Sequence, residues 1–182
     1  MAIFNKSLEV LLSWEGGYSF NPLDPGGETY CGISRKKWPS WMGWKFIDSA
    51  KTHGPLSWNW KSGDQGLNSL VYIFYKANYW NKESYNLLDN QDIADKIFQH
   101  HINMGTRAIR IAQNSVNGTI VPDSILGPIA VSSVNATDKD LFLERYCSKL
   151  IHYYHILIDE HPQLKVFEHE WLLRAKTIGK RP

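Results

Sequence analysis

Phe4-Asn5-Lys6-Ser7-Leu8-Glu9-Val10-Leu11-Leu12-Ser13-Trp14-Glu15-Gly16-Gly17 is the stretch from which the rest of the chain can be read. Phe4, Leu8, Leu11 and Leu12 recur at helical spacing and predict a helix with one buried face. Glu15 falls on that face, four residues after Leu11, three after Leu12 and seven after Leu8. Two glycines then stop the helix. A carboxylate so placed is partly desolvated and sits at the negative end of the helix dipole. Both effects disfavour its charged form and predict a raised pKa, the environment of a general acid working near neutral pH. A glutamate snorkelling from an ordinary surface helix would also occupy this position.

The 182 residues are enough for one generous domain or two small lobes with a real core. A hydrophobic share of 43% beside 21% charged residues is that of a globular chain. A net charge of +2, without long runs of like charge, argues against a nucleic-acid partner. Cys31 and Cys147 are too few and too far apart for a disulfide scaffold or a zinc site. His152 and His155 share a helix face, but no Cys or acidic partner completes a set, so no metal or other cofactor is expected. His101, on an apolar stripe, reads as a hydrogen-bonded core residue. No apolar run reaches the length of a membrane span, and Met1–Lys6 lacks the charged and apolar regions of a signal peptide. The expectation is a chain made in the cytoplasm, without stable membrane association, acting as a monomer.

After the first helix, Tyr18 to Ser34 is dense in Gly, Pro, Asn and Asp and predicts a loop with at most a short hairpin. Residues 35–65, with Trp38, Trp41, Trp44, Trp58 and Trp60, show no clean period. Helical stripes follow: Leu67, Leu70, Val71, Phe74 and Ala77; then Ile93, Ile97, Phe98, His101 and Met104, stopped by Gly105. Thr106 is a candidate cap for a helix through Ile109, Ala112 and Val116, and Pro128 a first-turn residue. Thr137–Asp140 resembles a capping box for a long helix through Tyr146, Leu150, Tyr153 and Leu157. Pro162 opens a last helix striped by Leu164, Phe167, Trp171, Ala175 and Ile178. The predicted fold is mainly α, with a small irregular or β lobe near the N-terminus flanking a cleft.

Asp24 follows Glu15 by nine residues, and Thr29 opens the extended stretch Thr29-Tyr30-Cys31-Gly32-Ile33-Ser34. Splitting a glycosidic bond needs an acid for the leaving oxygen and a group that orients or activates water. Glu15 would protonate, while Asp24 and Thr29 would hold the water and steady the positive charge developing on the sugar. Asp24-Pro25-Gly26-Gly27 is also plain turn chemistry. The tryptophans from Trp38 to Trp60 fit either sugar stacking or a satellite core under a long loop. Trp58 and Trp60, alternating around Asn59, would point the same way on an extended segment.

Glu15-Gly16-Gly17-Tyr18, Asp24-Pro25-Gly26-Gly27, Thr29 and Gly32-Ile33-Ser34 resemble the N-terminal signature of glycoside hydrolase family 108, lysozyme-like N-acetylmuramidases of phage endolysins and bacterial secretion activators. Tyr79-Trp80, Asn103-Met104-Gly105, Asp123 to Pro128 and Trp171 to Arg174 extend the resemblance. It implies a lysozyme-like α+β fold, with a catalytic half over residues 1–92 and a helical peptidoglycan-binding half over 93–182. It also implies that Glu15 is the catalytic glutamate, with Asp24 and Thr29 in softer correspondence. Tyr18, Tyr30, Trp58, Trp60 and Asn103 are the candidate substrate contacts, and peptidoglycan glycan strands the expected partner, reached after holin-type or other non-classical release. Cys31 and Ser124 depart from the family pattern, the latter standing where a glycine usually shapes the Asp-Gly turn. A lytic transglycosylase, a chitin or chitosan hydrolase, and a wall-binding or secretion-helper protein without catalysis remain as alternatives.

Overall fold

The computed structural model describes residues 1–20, 27–118 and 120–182. Asp24 lies outside these described residues. They divide into two compact units: Leu12–Asn78, and Met1–Leu11 together with Tyr79–Pro182. Helix α1 (Phe4–Glu15) gives its first two turns to the larger unit and its last to the smaller. Phe4, Leu8 and Leu11 are buried as the spacing predicts, and Val10 and Trp14 join them, so the buried face is broader than the stripe.

In the smaller unit, β1 (Tyr18–Ser19), β2 (Thr29–Tyr30) and β3 (Ile33–Ser34) form an antiparallel sheet in that order. Register places Tyr18, Tyr30 and Ile33 in one row and Ser19, Thr29 and Ser34 in the other. Directly opposed residues share a face. The first row is buried, so the sheet turns an aromatic face to the core and a row of three hydroxyls the other way. Thr29 to Ser34 is therefore a hairpin and not one extended stretch. Its two loop residues, Cys31 at φ 49° and Gly32 at φ 79°, adopt the left-handed backbone that two-residue hairpins demand.

Residues 35–65 contain a helix that their sequence conceals, α2 (Gly43–Lys51), followed by α3 (Gln65–Asn78). Trp38 and Trp41 meet Phe74 edge-on at 5.0 and 6.2 Å, Trp41 meets Trp44 at 5.1 Å, and Tyr30 stacks on Trp41 at 6.5 Å. These three tryptophans are thus core packing of the small unit. Its stripe on α3 is Leu67, Val71, Phe74 and Tyr75, whereas Ala77 is exposed.

The larger unit is helical: α4 (Gln91–Met104), α5 (Arg107–Gln113), α6 (Pro128–Asn135), α7 (Lys139–Glu160) and α8 (Glu168–Lys176). Phe4, Trp80, Tyr85 and Phe98 form its aromatic centre, with ring separations of 5.1 to 6.0 Å. Pro128 starts α6 as expected, whereas the Thr137–Asp140 capping box does not form: Thr137 donates to the Ser133 carbonyl, and Asp138 caps α7 by accepting from the Asp140 and Leu141 amides. Thr106 makes no side-chain cap, because its backbone is already helical there. The last predicted helix divides into a 3-10 turn (Pro162–Phe167) and α8. Lys96, fully buried, donates to the carbonyls of Arg174 and Thr177 and so closes the C-terminal end of α8. His101 is a core residue bonded to the Tyr85 hydroxyl at 2.9 Å. Ser124 holds φ 66°, so the turn keeps a glycine-like backbone, braced by Asp123 accepting from the Ile125 amide.

Candidate active site

Helix α1 ends where its sequence says it should. Gly16, at φ 69°, takes the left-handed backbone that terminates a helix. Gly17 lies against the backbone of the next segment: a Cβ there would come within 2.3 Å of the Trp60 carbonyl oxygen. The Asn59 side chain accepts from the Gly17 amide at 2.7 Å, and Tyr18 exchanges backbone bonds with Asn59 and Trp60 at 2.7 and 2.8 Å. The glycine pair thus does more than stop a helix. It lets the 57–60 segment clasp the point at which Glu15 leaves α1.

Glu15 itself is half-buried. Its carboxylate lies over Gly32, so that a Cβ on that residue would stand 2.6 Å from Glu15 Oε2 and 2.8 Å from the Tyr75 hydroxyl. Tyr75 in turn donates to the Cys31 carbonyl at 2.6 Å. The side-chain-free Gly32 of the hairpin turn therefore leaves the glutamate its seat, and a buried tyrosine from α3 fixes that turn. Burial pushes the Cys31 thiol up to about 11, and the nearby Glu15 charge adds to the effect. Cys31 is accordingly a neutral packing residue at pH 7 and no nucleophile.

Thr29 sits half-buried in the hydroxyl row between Ser19 and Ser34. Next to it stands a carboxylate that the sequence reading passed over. Glu28 accepts from the Tyr18 hydroxyl at 2.9 Å, pairs with Arg35 Nε at 2.6 Å and with Lys51 Nζ, while Arg35 grips Asp48 through two bonds of 2.6 and 3.1 Å. Arg35 also lies over the Trp44 ring at 4.5 Å. The Arg35 guanidinium holds the Asp48 carboxyl below the usual range. This network ties the sheet to α2. Only a lone Glu and an Arg seven residues apart mark it in the sequence.

The aromatic candidates separate. Tyr30 is buried against Trp60 at 6.0 Å, and its hydroxyl accepts from the Ser62 amide. Tyr18 is buried, with its hydroxyl committed to Glu28. Trp58 is 81% exposed, whereas Trp60 is half-buried. They do not point the same way, because Asn59 between them has φ 61° and the segment turns instead of running extended. Trp58 lines a hollow of about 360 Å³ with Tyr18, Phe20, Lys51, Pro55 and Leu56. Asn103 belongs to the larger unit, at the end of α4, and accepts from the Tyr154 hydroxyl at 2.9 Å. Among the described residues no cluster of His, Cys, Asp or Glu is placed to hold a metal ion.

The fold is that of a mainly α, lysozyme-like protein, with a small antiparallel sheet beside a glutamate at a helix end. The family described as Glycosyl hydrolase 108 matches residues 8–105, and the chain belongs to that family. It is similar in fold to a solved structure, that of Brucella abortus SagA, with a TM-score of 0.64 and 22% identity over 94% of this chain and 88% of that one. No curated protein matches the chain.

Proposed function

We propose that this glycoside hydrolase is an N-acetylmuramidase, cutting the β-1,4 bond between N-acetylmuramic acid and N-acetylglucosamine in peptidoglycan. The observation that carries the reading is the seating of Glu15 on Gly32, inside the family-matched region. A carboxyl group seated against a turn glycine can present its proton to a glycosidic oxygen in one geometry, without reorganisation. Thr29, in its row of hydroxyls, and Asp24 would place the attacking water and steady the developing oxocarbenium charge. Trp58 offers an exposed aromatic plane for a pyranose face. In this reading Tyr18, Tyr30 and Trp60 shape the substrate surface from beneath. Residues 93–182 then serve as the wall-binding half, and the chain meets its substrate after release from the cytoplasm.

The test is product analysis. Purified peptidoglycan digested by the protein should yield soluble fragments with reducing muramic-acid ends by mass spectrometry. Anhydro ends would move the assignment to a lytic transglycosylase. Fragments from chitin but none from peptidoglycan would move it to a different polymer, and a protein that binds the wall while releasing nothing would not be an enzyme of this kind.

A further inference from the structure

Arg35, Lys51, Lys139, Lys180 and Arg181 stand in ion pairs with carboxylates. Between α5 and α7 basic side chains instead converge on open hollows. Arg107 and Arg110 lie three apart on α5, and Lys149, His152, Tyr153 and Ile156 form one stripe of α7 at spacings of three, four and seven. They line a hollow of about 340 Å³ with no acidic residue in its wall among the described residues. A second hollow of about 420 Å³ shares Arg107, Arg110 and Tyr153 and continues to Gly105, Thr106 and Ser124, again without an acid. Arg107, Arg110 and Lys149 are exposed, and none forms an ion pair among the described residues. The Arg107 guanidinium is steadied over the Tyr153 ring at 5.3 Å.

We infer that this groove binds the carboxylates of peptidoglycan stem peptides, an inference that rests on the wall-glycan reading above. Two adjoining hollows sharing one pair of arginines suit an extended ligand rather than a single small ion. Guanidinium forks match carboxylates in a bidentate manner, and Lys149 on the facing helix adds charge across the groove. The floor is not uniformly polar: Ile111 and Ile156 join Tyr153, and Ile156 is 40% exposed. Short apolar side chains alternating with carboxyl groups, as in an alanine-rich acidic peptide, satisfy both halves of that surface. A polyol phosphate chain would satisfy only the charged half. The groove is built almost wholly from residues beyond 105, outside the family-matched region.

The test needs no cleavage. Glu15→Gln protein is cosedimented with purified peptidoglycan freed of phosphate polymers, and with the same glycan after an amidase has removed its stems. The stem-bearing material should bind at least about tenfold more tightly, the preference should fade as salt rises, and R107Q/R110Q/K149Q in the same background should lose it. Melting curves report whether that variant is folded, and Arg110→Gln alone should lose part of the preference. Equal binding to both glycans, an undiminished preference in the folded triple variant, or a preference shown only for walls carrying phosphate polymers would each overturn the inference. If the muramidase reading fails, wild-type protein releases no fragments, while this binding comparison still reads out independently.

Discussion

Gly32→Ala is the substitution to which the account is most sensitive. A Cβ at that position would stand 2.6 Å from Glu15 Oε2 and 2.8 Å from the Tyr75 hydroxyl. Ordinary contact begins near 3.4 Å, so the glutamate and the tyrosine must each withdraw by more than half an ångström. Alanine at φ 79° adds about 1 kcal/mol of backbone strain. Losing the bond from Tyr75 to the Cys31 carbonyl adds about 1 kcal/mol more, giving about 2 kcal/mol in all. For a chain of this size that corresponds to a melting point lower by roughly 4–8 °C. The larger effect should be on turnover, because displacing a catalytic group by about an ångström costs on the order of 100-fold. Gly118→Ala separates the two effects, since Gly118 has φ 87° and no described neighbour within 4 Å of an added Cβ. It should show the backbone strain alone, with turnover preserved. Peptidoglycan clearance and calorimetry on both variants make the comparison. Wild-type turnover in Gly32→Ala, or equal losses in the two variants, would refute the seating of Glu15 as the basis of activity.

Asn59→Gly keeps the left-handed backbone but removes the acceptor of the Gly17 amide, so it should cost about 1–2 kcal/mol in denaturant unfolding and lower turnover as the helix end loosens. Unchanged values for both would show the clasp to be idle. Trp58→Ala should raise KM severalfold with kcat and the melting point held, because an exposed ring contributes to binding and little to the core; a fall in kcat alone would contradict that role. Burial lowers the His101 pKa from its ordinary 6.5 to about 4, so between those values the unfolded chain binds more protons than the folded one and stability falls as pH drops. His101→Gln should remove a slope approaching 1.4 kcal/mol per pH unit inside that window; an unchanged acid limb in chemical denaturation from pH 7 to pH 4 would count against it.

Much of this architecture is legible in the chain because helical periodicity is a local signal. The α1 stripe, the Gly105 stop and the Pro128 start all depend on neighbours a few residues away. What stayed hidden depends on distant partners. Helix α2 buries only a short stripe, Trp44 and Ile47, and Trp44 packs on Trp41 and donates to the Trp38 carbonyl, both from the irregular segment before it. The Glu28–Arg35–Asp48–Lys51 network joins residues whose spacing fits no single element. Gly32 reads in sequence as part of an extended stretch, and both its place in the hairpin turn and the space it leaves for Glu15 appear only when α1, the hairpin and α3 are seen together. Trp58 and Trp60 would share a direction on an extended segment, and a left-handed Asn59 turns the segment instead. Ser124 shows the converse: an unexpected residue type with the expected backbone, held by its Asp123 brace.

The central claim is that the glutamate seated on the Cys31-Gly32 turn is the proton donor of a glycan hydrolase. Release of soluble fragments from purified peptidoglycan by wild type and Glu15→Gln, side by side and both shown to be folded, tests it most directly. Wild type should release reducing-end fragments, and the variant should lose at least about a hundredfold of that release. Comparable release by both proteins would contradict it.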